Sequence, residues 1–188
     1  MKRVADIRAL AMSDDSAAGT VVLRPAGLGD RGFLADLYAG VRAAEMAPVP
    51  WPEQAKREFL QHQFELQDSY YRLNYPGADF WVIERNGAPI GRIYIYRTPR
   101  DIRLMDVSLL PEARGQGIGS ALLGELIEES DRTGATITLH VEAENPVMRL
   151  YHRLGFQHLE DRGVYQFLGR SPRSQLTTAS NTMSSPSF

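Results

Sequence analysis

The stretch richest in possible chemistry is Arg114-Gly115-Gln116-Gly117-Ile118-Gly119-Ser120. It lies between an apolar, strand-like run and an amphipathic, helix-like one. Three glycines at alternate positions leave backbone N–H groups uncovered, so an anion can approach closely. A helix opening here adds the partial positive charge of its N-terminus, and Arg114 and Ser120 add side-chain donors. Together they read as a pyrophosphate cradle, with a glycine-rich turn of purely structural use as the competing reading. Two familiar phosphate motifs fit poorly. A P-loop requires Gly-Lys-Ser/Thr, and no lysine lies within fifty residues. A Gly-x-Gly-x-x-Gly dinucleotide fingerprint begun at Gly115 puts Ser120 in its last place, and Pro111–Ala113 lengthen the strand-to-helix turn.

The chain that must position this segment has 188 residues, the length of one domain. Twenty-one basic against 23 acidic side chains give a net charge of −2, which argues against a nucleic-acid or membrane-surface partner. With no cysteine there is no disulfide, thiolate metal site or cysteine nucleophile, and no metal is expected. Asp6 and Arg8 interrupt the apolar run a signal peptide needs, and no stretch approaches the roughly 20 apolar residues that span a bilayer. A soluble, cytoplasmic protein is the expectation. Residues 1–19 read as a flexible N-terminal segment, 20–169 as the folded domain, and 170–188 as a disordered Ser/Thr-rich tail.

Within 20–169 strands and helices alternate. Strands are expected at 21–26, 79–84, 89–97, 101–111 and 136–143, with two closing strands after Phe156. Asn86-Gly87 marks a hairpin, because both positions tolerate positive φ. Helices are expected after Asp30 (Phe33, Leu34, Leu37, Tyr38, Val41), over 53–70 (Phe59, Leu60, Phe64, Leu66), over 117–132 and over 145–154. The third would bury Ile118, Leu122 and Leu126 and turn Glu125, Glu128 and Glu129 outward. The fourth has Asn145 as N-cap, Pro146 at its first position, and Gly155 with Phe156 as its C-terminal signal. Along 101–111 the alternation changes phase between Ile102/Leu104 and Val107/Leu109, which predicts a β-bulge near Met105 or Asp106. The fold class is α/β with a mixed central sheet.

Arg114-x-x-Gly117-x-Gly119, after a strand ending Leu-Pro-Glu and before an amphipathic helix, resembles the acyl-CoA signature of the GNAT superfamily of N-acetyltransferases. Residues 138–156, TLHVEAENPVMRLYHRLGF, are similar to that family's next block, in the expected order and spacing. The resemblance covers about 20–169. It implies a single-domain, mostly antiparallel sheet with one bulged strand splayed from its neighbour, flanked by about four helices. It also implies acetyl-CoA as co-substrate. The backbone of Val107, Ser108 and Leu109 would meet pantetheine and the thioester. Residues Arg114, Gly115, Gln116, Gly117, Ile118, Gly119 and Ser120 would hold the pyrophosphate. Asn145 would reach the pantetheine arm, although a simple cap serves the sequence equally well.

Tyr151 aligns with the family's general acid, the group that protonates the departing CoA thiolate. Val147, Leu150, Tyr151 and Leu154 share one helical face, so a core tyrosine with a locally satisfied hydroxyl is the alternative. His140 occupies the strand position where some relatives carry a basic glutamate, and its ordinary pKa suits proton removal. Glu142, Asp106 and a water chain remain open as the base. The amine acceptor, small molecule or peptide, would meet the N-terminal half: Met46, Pro48, Pro50, Trp51, Phe59, Tyr70, Tyr71 and Tyr75, with Glu45, Glu53 and Asp79 as possible cation attractors. The expected activity is acetyl transfer to a primary amine in a ternary complex. An acyl-CoA-binding sensor or scaffold of the same fold is the rival, and a homodimer is a possible assembly.

Overall fold

In the computed structural model, residues 20–173 are described. The assignments to 1–19 and to most of 170–188 therefore lie outside the described residues. Seven strands form one sheet in the order β1-β2-β3-β4-β5-β7-β6. In chain order they are β1 (Val21–Pro25), β2 (Asp79–Arg85), β3 (Ala88–Arg97), β4 (Asp101–Leu109), β5 (Thr136–Glu142), β6 (Gln157–Arg162) and β7 (Tyr165–Arg170). The helices are α1 (Arg31–Met46), α2 (Glu53–Asn74), α3 (Ile118–Thr133) and α4 (Met148–Arg153). β4 and β5 run parallel, joined through α3, and the pairings β1–β2, β5–β7 and β6–β7 are antiparallel. The described chain forms two compact units, one of residues 20–94 with Asp106–Gly119, the other of Ile95–Met105 with residues 120–173.

In the first unit α1 and α2 bury one stripe each. Leu34, Ala35 and Tyr38 of α1 meet Leu60 and Phe64 of α2 and Val82 of β2. The 3.6-residue period sets these stripes, but their edges differ from expectation. Val41, Phe59 and Leu66 share the helical run yet are exposed, since a stripe about 100° wide leaves flanking apolar residues in solvent. α2 also runs four residues beyond the expected end, to Asn74, and closes with Tyr75 N–H donating to Tyr71 O (3.0 Å). The β2–β3 hairpin turns on Asn86 (φ +52°) and Gly87 (φ +79°), the positive pair that the sequence predicts. Gly91 of β3 lies so close to Ser108 O that a Cβ there would collide with backbone.

β4 carries the expected bulge. Thr98 N–H donates to Asp101 O (2.8 Å) at one end of the β3–β4 hairpin, and Leu110 N–H to Ile90 O (2.9 Å) at the other. From the first bond to the second β4 advances nine residues, Asp101 to Leu110, and β3 only eight, Thr98 to Ile90. One residue of β4 is therefore extra. A second irregularity, not foreseen, interrupts the β6–β7 register between His158 and Glu160.

In the second unit the parallel register of β4 and β5 covers Asp101–Leu104 against Thr136–Leu139. Ile102 and Leu104, Ile137, Leu139 and Val141, and Leu168 are buried with Leu122, Leu123 and Leu126 of α3. Glu129 is a correction. It is buried rather than outward, because Arg97 grips its carboxylate with two hydrogen bonds, Nε to Oε1 (2.7 Å) and Nη2 to Oε2 (2.9 Å). Helical periodicity cannot foresee a charge drawn inward by a partner 32 residues away. Arg170 is a second correction. It belongs to β7 and is buried, joining α3 and α4 through Asp131 (3.0 Å) and Leu154 O (3.2 Å), so the folded body passes the expected boundary at 169.

Candidate acetyl-transfer site

The glycine segment belongs to the first unit up to Gly119. After β4 the chain makes a 3-10 turn, Pro111–Ala113, closed by Ala113 N–H to Leu110 O (2.9 Å). Gly115 (φ +70°) and Gly117 (φ +80°) then take the left-handed conformation that residues with a Cβ rarely adopt. α3 opens immediately after, at Ile118. Ile118 is itself 1% exposed. Its side chain is buried at the helix start, which leaves only its backbone available to a ligand. A Cβ built on Gly115 or Gly119 would meet no atom within 4 Å, so the glycines keep open space beside the backbone. These features fit a group that carries a pyrophosphate. The Arg114 side chain turns back, Nε donating to Leu109 O (2.9 Å), and Gln116 donates to Glu112 O. Both brace the turn.

On β4, Val107, Ser108 and Leu109 are half-buried. The Ser108 hydroxyl donates to Asp106 Oδ1 (2.8 Å). Asp106 is also gripped by Arg92, Nε to Oδ1 (3.1 Å) and Nη2 to Oδ2 (2.8 Å). Arg92, 2% exposed, donates further to Gln67 (2.9 Å) and lies over the Tyr94 ring. Burial opposes its charge, but the Asp106 carboxylate more than offsets this and raises its pKa. With both oxygens engaged, Asp106 braces β4. Sequence reasoning passed over Arg92. Its signal was an arginine flanked by apolar residues on both sides within a strand, PIGRIYIYR.

In the second unit α4 is shorter than the expected 145–154, because residues 145–147 form a preceding turn. Val147, not the expected Asn145, stands at its N-cap, because Asn145 is taken up in the turn before it. The Asn145 Oδ1 accepts from Val147 N–H (3.0 Å), which commits that oxygen locally. The other end is a complete Schellman motif. Phe156 N–H donates to Tyr151 O and Gly155 N–H to His152 O (both 3.0 Å), with Gly155 at φ +86°. The Tyr151 and Phe156 rings meet edge to face at 5.4 Å. Tyr151 is thus 5% exposed and fixed in orientation.

His140 projects from β5 on the exposed face of the sheet. Its ring stacks on Phe167 (5.0 Å) and lies between two guanidinium groups, Arg103 Nη1 at 3.0 Å from Nδ1 and Arg162 Nη1 at 3.1 Å from Nε2. Partial burial and the charges of Arg103 and Arg162 hold its pKa below the usual histidine range. Among the acceptor-side residues, Trp51 and Phe59 pack edge to face (5.5 Å), and Tyr70, Tyr71 and Tyr75 form a triangle of rings 6.2–6.3 Å apart. Glu45 and Glu53 are paired with Arg42 and Lys56, which discounts them as attractors of a substrate cation.

The family model of the GNAT acetyltransferases matches residues 39–156. The chain belongs to the GNAT family. It is an acyltransferase by that membership, and the sequence resemblance carried by Arg114–Ser120 and 138–156 is thereby upheld. A Bacillus subtilis protein named as a bS18-alanine N-acetyltransferase is 28% identical over 53% of this chain and 76% of its own. A GCN5-like protein acetyltransferase of Mycobacterium tuberculosis is 31% identical over 73% of this chain and 71% of its own. The PaiA N-acetyltransferase of Thermoplasma acidophilum, solved with coenzyme A, shares the GNAT fold at a TM-score of 0.62 and 18% identity, covering 80% of this chain and 98% of that one. No helix among the described residues is long and apolar enough to cross a membrane.

Proposed function

We propose that the protein transfers the acetyl group of acetyl-CoA directly to a primary amine in a ternary complex. The observation that carries this reading is the pair of left-handed glycines, Gly115 and Gly117, just before α3, with open space beside Gly115 and Gly119. When bound, acetyl-CoA supplies the activated acyl group. Residues Arg114 to Ser120 bind its pyrophosphate, chiefly through backbone N–H groups. The backbone of Val107 to Leu109 orients the pantetheine and thioester. Asn145 contributes to the pantetheine arm with the groups that its turn bond to Val147 leaves over. Tyr151 gives a proton, or a hydrogen bond, to the sulfur of the leaving thiolate. His140, held neutral by partial burial and its two arginine neighbours, takes the proton the amine must lose once the arginine N–H that faces its lone pair moves aside.

The relatives named for alanine and protein acetylation favour a peptide amine as acceptor, with a small-molecule amine as the broader class. The test is a screen of amines and N-terminal peptides that follows free CoA release by the purified protein. Turnover with any primary amine supports the reading. Tight CoA binding in calorimetry without turnover across the screen would return the sensor or scaffold reading instead.

A further inference from the structure

The register of the second unit aligns a row of side chains across four neighbouring strands. Arg103 of β4 lies opposite Thr138 of β5, two residues before His140 on the same face. His140 lies opposite Phe167 of β7, and Phe167 opposite Glu160 of β6, next to Arg162. Both guanidinium groups lie on the Phe167 ring, Arg103 at 4.9 Å and Arg162 at 4.4 Å, so their planes are held before any ligand arrives.

The row has more donors than acceptors. A neutral imidazole offers one lone pair and one N–H. Yet each ring nitrogen of His140 faces a guanidinium N–H, so one of the two contacts sets donor against donor. Arg162 places its other donors on Glu160 Oε2 (2.9 and 2.8 Å). Arg103 has no carboxylate partner among the described residues, only His140 and the Phe167 face. Two ordered guanidinium groups, one unmatched by any carboxylate, at an exposed site beside the residue proposed to receive the amine proton, are what a carboxylate ligand requires.

We infer that Arg103 and Arg162 form a carboxylate-recognition fork for the acceptor, so that this enzyme prefers amines bearing a nearby carboxylate. Two sources share that chemistry, the α-carboxylate of a free amino acid and an acidic side chain early in a peptide. The inference rests on the proposed acetyl transfer and narrows its acceptor. It also has a consequence for the base. A bound carboxylate offsets the two positive charges that depress the His140 pKa, so an acidic acceptor strengthens the base that deprotonates it.

The test pairs acceptors that differ only in the carboxylate: Ser-Asp-Ala against Ser-Asn-Ala peptides with amidated C-termini, and alanine against alanine amide. Free CoA release is measured for the full chain and for Arg103→Gln and Arg162→Gln. The full chain should favour the acidic member of at least one pair by about tenfold or more in kcat/KM. Both variants should bring that ratio to within about twofold of one. The peptide pair and the amino-acid pair show which source is read. No preference in the full chain, or a preference unchanged in both variants, overturns the fork. If Arg103→Gln does not fold, Arg103→Lys, which keeps the charge but loses the planar geometry, should give an intermediate ratio. If nothing is turned over, acetyl transfer fails as a reading. Calorimetry of the same pairs on CoA-saturated protein then tests the fork alone: tighter binding of the acidic member that Arg103→Gln abolishes supports it, and equal binding overturns it.

Discussion

At the scale of single residues, the position of Tyr151 joins two demands. Its ring is a packing group, fixed against Phe156 by the end of α4, while its hydroxyl is the proposed proton donor. Tyr151→Phe keeps the ring and removes only the hydroxyl. Charge appears on sulfur as the thiolate leaves, so the donor acts in the transition state and little before. The expected outcome is a fall in kcat of roughly 10²–10⁴-fold with little change in CoA affinity. A core-only tyrosine would instead lose thermal stability while turnover stayed within about threefold of wild type. Steady-state kinetics and thermal melting on the same samples separate the two. His140 shows how far a residue type can be read from sequence. The strand and the face were legible. The two arginines that bracket it were not, because Arg103 lies 37 residues away and Arg162 lies 22.

At the scale of elements, local chemistry sets most ends and turns. Gly155 closes α4 at φ +86°, and a Cβ there would meet nothing nearer than Arg170 Nε at 3.8 Å. Space is therefore available, and only the backbone conformation resists a side chain. Gly155→Ala should cost about 1–2 kcal/mol, a drop of roughly 2–8 °C in Tm. The opposite logic applies at Gly119, which has no positive φ and open space around its Cβ position. Gly119→Val should leave the melting temperature within a few degrees of wild type. Its methyl groups would occupy the space beside the backbone that a pyrophosphate needs, so CoA affinity should fall by tenfold or more in calorimetry. Unchanged affinity would place the phosphates elsewhere. The element hardest to foresee was α2. Its sequence past residue 70 carries no breaker until Pro76, so nothing local marks where it stops.

At the scale of the whole molecule, stability depends on carboxylates held charged by arginine. Arg24 forks onto Asp30 (both bonds 2.7 Å), Gly27 N–H adds a third bond (2.7 Å), and the Asp30 pKa falls to about 2. Asp131, bound by Arg170 and by the Arg173 backbone, is lowered in the same direction. A carboxylate with a depressed folded-state pKa binds its proton more readily when unfolded. Its contribution is fully present above the ordinary value near 4 and is lost as pH falls toward the folded value. For Asp30 this is about 1–2 kcal/mol, discounted because Arg24 is 38% exposed. Melting temperature should therefore fall steeply between about pH 4 and 2, and Asp30→Asn should be less stable at pH 7 but flatter across that window. A parallel slope in wild type and variant would remove Asp30 from the acid response.

The sequence by itself determined the order and type of the elements, the hairpin at Asn86-Gly87, the bulge in β4, the glycine turn before α3 and the C-terminal end of α4. Each of these is written in residues close together, through periodicity, positive φ, a cap or a phase change, and needs no distant partner. The tertiary structure alone decided the charge pairs. Arg92 with Asp106, Arg97 with Glu129, Arg170 with Asp131 and the Arg103–His140–Arg162 row join residues 14 to 39 positions apart. An arginine in a sequence carries no mark of its partner, because a charge enters a low-dielectric interior only where the fold has already placed its counter-charge.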